Sequence, residues 1–228
     1  MTWVGDIGAL IFDFDGLILD TETCTYETTA AIFAEHGEAL DLGWWHSILG
    51  TADHRHWTDV LAERLGRPVD RGALVAQREA RRLKILRELP PRTGVVELLD
   101  QAEARGIPSA VASSSGLDWV GGHLDRLALR RYFPVVVTRD DIGQDAGRTK
   151  PAPDLFLLAA ELLGVEPARC VAFEDSPHGV TAAHVAGMAV VAVPGPMTLG
   201  LDFALADLVV RSLLDVDVDG LAEAVWED

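Results

Sequence analysis

Asp13 and Asp15 stand two residues apart, after the apolar run Ala9-Leu10-Ile11-Phe12 and before Gly16. Along an extended chain, residues at that spacing point to the same side. A carboxylate can attack phosphorus and form an acyl phosphate. The leaving alcohol then needs a proton, and the incoming water must later lose one. One carboxylate of the pair can therefore attack while its neighbour handles protons, and Gly16 lets the chain turn tightly behind them. Other polar residues appear where apolar runs stop. Ser113, Ser114 and Ser115 follow Pro108 to Ala112, Glu174 and Asp175 follow Cys170 to Phe173, and Lys150 precedes Pro151-Ala152-Pro153. An acid that ends a buried apolar run is costly without a partner. The four acids Asp13, Asp15, Glu174 and Asp175 gathered together repel one another unless something compensates. A hard divalent cation does so, and oxygen ligands with room left for water and phosphate suit Mg²⁺ better than zinc. The cation can also neutralise a phosphoryl group. Lys150 adds a point charge, and Ser113 adds a hydroxyl beside backbone N–H groups at a strand-to-helix turn.

Elements that could position these residues are visible in the hydrophobic pattern. Continuous apolar runs at 9–12, 108–112, 134–138, 170–173 and 189–193, with a further one at 207–210, read as strands covered on both faces, as in a parallel sheet. Helical periodicity lies between them: Val95, Leu98, Leu99 and Ala102 before Gly106, then Leu117, Val120, Leu124 and Leu127, then Pro153 to Leu163 before Gly164. This alternation predicts an open α/β sheet with right-handed crossovers, whose strand ends converge on one edge. From Thr21 to Leu89 only helical patterns occur, with segments at 21–37, 58–65 and 70–89, before Pro90-Pro91 punctuates the chain. The fold class is thus α/β: a Rossmann-like core over 1–19 and 91–228, with an α-helical insertion over 20–90 after the first strand.

Composition narrows the partners. A formal charge of −17 over 228 residues disfavours binding nucleic acid or an anionic membrane through a broad basic face. It also requires an anionic substrate to be met by local positive charge: a metal ion, a lysine or helix N-termini. Cys24 and Cys170 match no metal spacing and read as buried reduced thiols. No apolar run approaches the roughly 20 residues that span a bilayer, and the N-terminus has no signal-like pattern. A cytoplasmic monomer or weak homodimer is the expectation.

Four segments taken together resemble the motifs of the haloacid dehalogenase-like superfamily, in the branch of phosphoglycolate phosphatases and β-phosphoglucomutase. They are Asp13-Phe14-Asp15-Gly16 with the following Leu17 to Glu22, Val111-Ala112-Ser113-Ser114-Ser115, Lys150-Pro151-Ala152-Pro153-Asp154, and Phe173-Glu174-Asp175-Ser176 with Gly179. The resemblance implies a phosphorylated nucleophile and metal ligand at Asp13. It implies a general acid and base at Asp15, with its backbone carbonyl on the metal. Ser113 and Ser114 would hold the phosphoryl group, Lys150 would bind it and orient Asp13, and Glu174 and Asp175 would complete a Mg²⁺ site. The helical insertion would be a mobile cap. The presence of Asp15 favours phosphate esters over halides, because a halide leaving group needs no proton. Mutases of the branch carry a histidine in the first cap helix where this chain has Thr25, which favours hydrolysis of a small phosphorylated metabolite, such as a sugar phosphate, over phosphosugar transfer. A non-catalytic binding module on the same scaffold is the third reading. The stretch Gly143 to Thr149 is longer than the family usually has and reads as a surface loop. Within the cap, Glu22, His54, Arg55 and His56 are candidate substrate contacts. Arg81, Arg82 and Lys84 read as a solvated helix face, and Trp44, Trp45 and Trp57 as the insertion's own core.

Overall fold

The computed structural model describes residues 7–49, 55–143 and 146–226. Its centre is a parallel sheet of six strands: β1 (Ala9–Phe12), β2 (Ser109–Ser113), β3 (Val135–Thr138), β4 (Cys170–Glu174), β5 (Ala189–Ala192) and β6 (Leu208–Val209). The strand order is β3-β2-β1-β4-β5-β6. The order reverses between β1 and β4, so a crevice opens outside the carboxyl ends of those two strands. In register, Phe12 lies opposite Val111 on one side and Phe173 on the other.

The continuous apolar runs have a direct packing cause, because both faces of the sheet are covered. Leu10, Phe12, Val111, Val171, Phe173 and Val191 pack on one face against helices α5 (Val95–Ala104), α6 (Leu117–Arg126) and α9 (Val218–Trp226). Ala9, Ile11, Ala110, Ala112, Ala172 and Val190 pack on the other against α7 (Asp154–Leu163) and α8 (Pro177–Val185). Small residues on that second face let α7 approach the middle of the sheet. The first face is aromatic: Phe12 stacks on Phe173 with ring centroids 4.8 Å apart and meets the edge of Phe133 at 5.8 Å.

Between β1 and β2 run α1 (Thr21–Glu35), α2 (Leu42–Ile48), α3 (Trp57–Leu65) and α4 (Arg71–Glu88), followed by α5. Each of the first four starts on a side-chain cap: Asp20, Asp41, His56 and Asp70 respectively. Ile32, Phe33, Trp45, Trp57, Leu61 and Leu74 from these helices form a hydrophobic cluster separate from the two that flank the sheet. The chain returns through Pro90-Pro91 to Arg92, whose guanidinium donates to the carbonyls of Gly16, Val193 and Pro194 at 2.5, 3.0 and 3.2 Å. That fork ties the return segment to the loops after β1 and β5.

The strands and most helices lie where the hydrophobic pattern puts them, with ends differing by a residue or two. Helices α2, α8 and α9 have no counterpart in that reading. Pro153 caps α7 rather than lying inside its first turn, and the peptide bond between Lys150 and Pro151 is cis. Among the described residues, no helix is long and apolar enough to cross a membrane.

Phe173 is fully buried and stacked at the centre of the sheet. Phe173→Ala is expected to destabilise the protein by about 3–5 kcal/mol, read as a lower urea midpoint at unchanged slope. A loss below about 1 kcal/mol would show that this face tolerates a cavity.

Candidate active site

The ends of β1, β2 and β4 place the acids and hydroxyls in one crevice, and the segment that leads into α7 brings Lys150 to it. Asp13 follows β1 directly, and its N–H donates to the Phe173 carbonyl at 3.0 Å, continuing the ladder to β4. Its carboxylate accepts from Lys150 Nζ, which also donates to Glu174 Oε1 at 2.5 Å. Asp13, Lys150, Glu174 and Asp175 are all buried, with Glu174 fully so. Oxygens of Asp13, Glu174 and Asp175 lie within 4.8 Å of one another.

Glu174 is fixed on both oxygens. Oε1 faces Lys150, while Oε2 accepts from the N–H groups of Asp175 and Ser176 at 3.0 and 3.2 Å and from Ser176 Oγ at 3.1 Å. Ser176 also caps α8, accepting from the Gly179 N–H at 3.1 Å. The helix start and the acid are therefore built together, and the macrodipole favours the charge there. Glycine is required at two points of this arrangement. A Cβ on Gly179 would fall 1.8 Å from Glu174 Oε1, and one on Gly16 would fall 2.1 Å from Asp175 Oδ2. Gly16 also has φ of +87°, a region that other residues rarely adopt.

Burial raises the Asp13 carboxyl to about 8 against the lowering effect of Lys150, with Glu174 and Asp15 raising it further. Burial, then Glu174 and Asp13, push Asp175 well above the usual carboxylate range. Burial opposes the Lys150 ammonium, yet Asp13 and Glu174 more than offset this and raise it above its ordinary value. Three buried acids thus share a single buried ammonium, a set that is short of positive charge.

Asp15 is turned differently. Its carboxylate accepts from Thr21 Oγ1 at 2.8 Å, Ser115 Oγ at 2.5 Å and Trp119 Nε1 at 2.9 Å. The two aspartates therefore sit in contrasting surroundings: Asp13 among acids and an ammonium, Asp15 among neutral donors. Ser113 Oγ accepts from the Ser115 N–H at 3.1 Å. Ser114 belongs to the same wall, with its Oγ buried and without a hydrogen-bond partner among the described residues.

These groups form the floor of a cavity of about 540 Å³ whose opposite wall comes from the helices between β1 and β2. Glu22 and His56 line it. Burial, then Asp15 and Asp20, raise Glu22 to about 7. The His56 ring stacks on Trp57 and shares a 2.7 Å hydrogen bond with Thr58 while capping α3. Arg55 turns to the surface, pairs with Glu63 at 2.6 Å and is not in the cavity wall. His54 lies outside the described residues. Arg82 is not the solvated residue that its neighbours suggest: it lines the cavity, holds Glu79 through two nitrogens at 3.0 and 3.1 Å, and lies 4.2 Å from the centre of the Trp119 ring. Arg81 on the next position pairs outward with Glu35. Trp45 and Trp57 belong to the insertion's core and also face the cavity. Thr21 and Ser115 lie within the first and second motif segments without having been singled out as site residues, and Trp119 lies outside all four segments. Trp119 could have been found from its place in the first turn of the helix that follows Ser113-Ser114-Ser115, where a side chain faces the sheet edge.

A parallel sheet of this order, with acids at the ends of its central strands and a helical insertion after the first, defines an α/β protein with an acidic crevice at its sheet edge. The sequence model of the haloacid dehalogenase-like hydrolases matches residues 10–193, and the chain belongs to that family, in its phosphatase and β-phosphoglucomutase branch. YhcW of Bacillus subtilis is 42% identical over 212 residues, covering 93% of this chain and 94% of that protein. The fructose-1-phosphate phosphatase YqaB of Escherichia coli is 35% identical over 180 residues, covering 78% of this chain and 92% of its own. A haloacid dehalogenase family hydrolase from Deinococcus radiodurans, solved with phosphate and sodium bound, superposes with a TM-score of 0.77 at 26% identity, covering 96% of this chain and 97% of that one.

The raised acids give a stability prediction for the protein in EDTA. A carboxyl at about 8 when folded, and near 4 when unfolded, binds more protons in the folded state between those values. Stability must then fall as pH rises through that window, and level off above it. Thermal melts of Asp13→Asn are expected to show a shallower fall between pH 5 and pH 8 and a higher midpoint than the unchanged chain at pH 8. Parallel curves for the two proteins would show that Asp13 is already ionised in this window.

Proposed function

We propose that the chain is a Mg²⁺-dependent phosphomonoesterase that acts on a small phosphorylated metabolite, such as a sugar phosphate, through an aspartyl phosphate on Asp13. The observation that carries this reading is the contrast between the two aspartates. Asp13 is held against Lys150 at the sheet edge with no hydroxyl donor on it among the described residues, as a nucleophile requires. Asp15 is positioned by Thr21, Ser115 and Trp119, as a proton carrier requires.

In the first step an Asp13 carboxylate oxygen bonds to phosphorus as the ester oxygen leaves with its electron pair, and Asp15 gives that oxygen a proton. In the second, Asp15 takes a proton from water as the water oxygen bonds to phosphorus. The bond from phosphorus to Asp13 then breaks, releasing phosphate and restoring the carboxylate. Lys150 neutralises charge on the phosphoryl oxygens and keeps Asp13 oriented. Ser113, Ser114 and the backbone N–H groups at the start of the loop after β2 hold the same oxygens.

The acids fit a hard divalent cation, because three buried carboxylates face one ammonium and two of them are driven toward protonation without further positive charge. Asp13, Glu174 and Asp175, with the Asp15 carbonyl, would hold Mg²⁺, which when bound supplies charge neutralisation for the transferring phosphoryl group. Residues 20–90 act as a cap that excludes water, with a hydrophobic cluster built from its own helices and joined by Met197 and Leu201 of the loop after β5. Thr25 supports hydrolysis over transfer: it lines the cavity, and its hydroxyl donates to the Thr21 carbonyl at 2.7 Å, so it offers no titratable group to a sugar hydroxyl. The name of YqaB and the phosphate in the Deinococcus structure agree with a phosphate ester as substrate.

Phosphate release and isomer formation from a panel of phosphorylated metabolites test the reading. Phosphate release that disappears with EDTA and in Asp13→Asn is the expected result, with Asp15→Asn slowing turnover on the order of 10²–10⁴-fold. Isomer formation without phosphate release would make the chain a mutase, and silence in both would favour a binding module.

A further inference from the structure

We infer that Arg92 is a positioning residue for the proposed Mg²⁺ site, holding the glycine turn after Asp15 against Asp175 without bonding to a carboxylate itself. This rests on the reading of Asp13, Asp15, Glu174 and Asp175 as metal ligands; the clamp is argued from the backbone bonds that Arg92 makes. Arg92 is half-buried, stands outside the cavity wall and follows Pro90-Pro91 at the end of the helical insertion. Among the described residues its guanidinium donates to backbone carbonyls alone: Gly16 at 2.5 Å, Val193 at 3.0 Å and Pro194 at 3.2 Å. Its own N–H donates to the Ile18 carbonyl at 2.8 Å. A guanidinium fork suits carboxylates especially well. Here carbonyls take the donors, so the fork occupies none of the oxygens that would hold a cation.

Gly16 is where such a clamp matters. Glycine gives the backbone more freedom than any other residue. This one cannot be exchanged for a stiffer residue, because its φ is +87° and a Cβ would fall 2.1 Å from Asp175 Oδ2. The freedom must be removed from outside, and the structure does so on both sides of the glycine. The peptide that carries the Asp15 carbonyl is fixed through the Gly16 N–H, which donates to the Leu19 carbonyl at 2.8 Å. The next peptide is fixed through the Gly16 carbonyl, by Arg92. At the other end of the fork, Val193 donates its N–H to the Glu174 carbonyl at 2.7 Å. A chain of bonds thus runs from Gly16 through Arg92 and Val193 to Glu174, and Asp175 lies between its two ends. Groups that orient metal ligands from behind are commonly worth about 10- to 100-fold in metal affinity. Removing a mere neighbouring charge would instead strengthen cation binding, because like charges repel.

Metal binding can be read without substrate. Mn²⁺ serves as the probe, with the free ion followed by EPR and Mg²⁺ added as competitor. Arg92→Met is expected to raise the dissociation constants of both ions about tenfold or more, and Arg92→Lys, which keeps the charge but loses the fork, about threefold. Leu221 of α9 is buried and lines no part of the cavity. Leu221→Ala is expected to lower the melting midpoint while leaving both constants within about twofold. Binding in Arg92→Met as tight as in the unsubstituted chain, or tighter, would overturn the inference. So would full affinity in Arg92→Lys, or an equal loss in Leu221→Ala. If Arg92→Met does not fold, the comparison of Arg92→Lys with Leu221→Ala decides the matter in the same way. Phosphate release by the unsubstituted chain is scored separately. Metal binding that weakens in the Arg92 variants, with no phosphate released from any substrate, would remove the phosphomonoesterase reading and leave the role of Arg92 standing. Mg²⁺-dependent phosphate release with unchanged constants in the Arg92 variants would do the reverse.

Discussion

Three carboxylates and one ammonium, all out of water, meet at the ends of two neighbouring strands. Bringing those charges together is unfavourable, and the rest of the architecture supplies what makes it tolerable. Lys150 bridges Asp13 and Glu174. The first N–H groups of the turn into α8 fix the other oxygen of Glu174. Gly16 and Gly179 remove the side chains that would otherwise occupy the space of Asp175 and Glu174. Parallel strands are what allow this, since only their common direction delivers Asp13 and Glu174 to the same edge, opposite each other across the β1 and β4 register. In the proposed reading, the residual shortage of positive charge is what prepares the site for a cation and a phosphoryl group.

Asp15 belongs to the same loop and escapes that environment. Two residues along, its side chain is handed to Thr21, Ser115 and Trp119, donors from the start of α1, the loop after β2 and the first turn of α6. Arg82 of α4 rests on the face of Trp119, so the helical insertion meets Asp15 both directly, through Thr21, and indirectly, through that ring. In the proposed reading, catalytic groups on the sheet edge and the helical wall opposite them come from different backbone segments, which leaves specificity free to change while the chemistry stays fixed.

Much of this was readable in the sequence because buried parallel strands write themselves as unbroken apolar runs. Ala9 to Phe12 and Cys170 to Phe173 could hardly be anything else, and the acids that end them stand out for their cost. The helical insertion was equally plain from the absence of any strand pattern between Thr21 and Leu89. Short or weakly periodic helices were not: α2 packs two adjacent tryptophans with no clear stripe, and α8 is rich in alanine, glycine and histidine. Tertiary partners were hidden for a different reason. Nothing in the spacing of Arg78, Arg81 and Arg82 tells which of them turns inward, because that depends on how α4 rests against α1 and on the Trp119 ring contributed by a distant helix. Arg55 likewise looked like a candidate contact by composition, and its pairing with Glu63, nearly two turns into α3, could not be seen without coordinates.

The claim on which the account turns is that phosphate passes through Asp13. Borohydride reduces an acyl phosphate to an alcohol, so quenching the protein with it during turnover, followed by peptide mass spectrometry, reads the intermediate directly. The account predicts that the peptide carrying Asp13 loses its carboxylate at that position, in proportion to enzyme engaged in turnover, and that omitting substrate prevents the change. An unmodified Asp13 under conditions where phosphate is being released at full rate would mean that water attacks phosphorus directly, and the nucleophile assignment would be wrong.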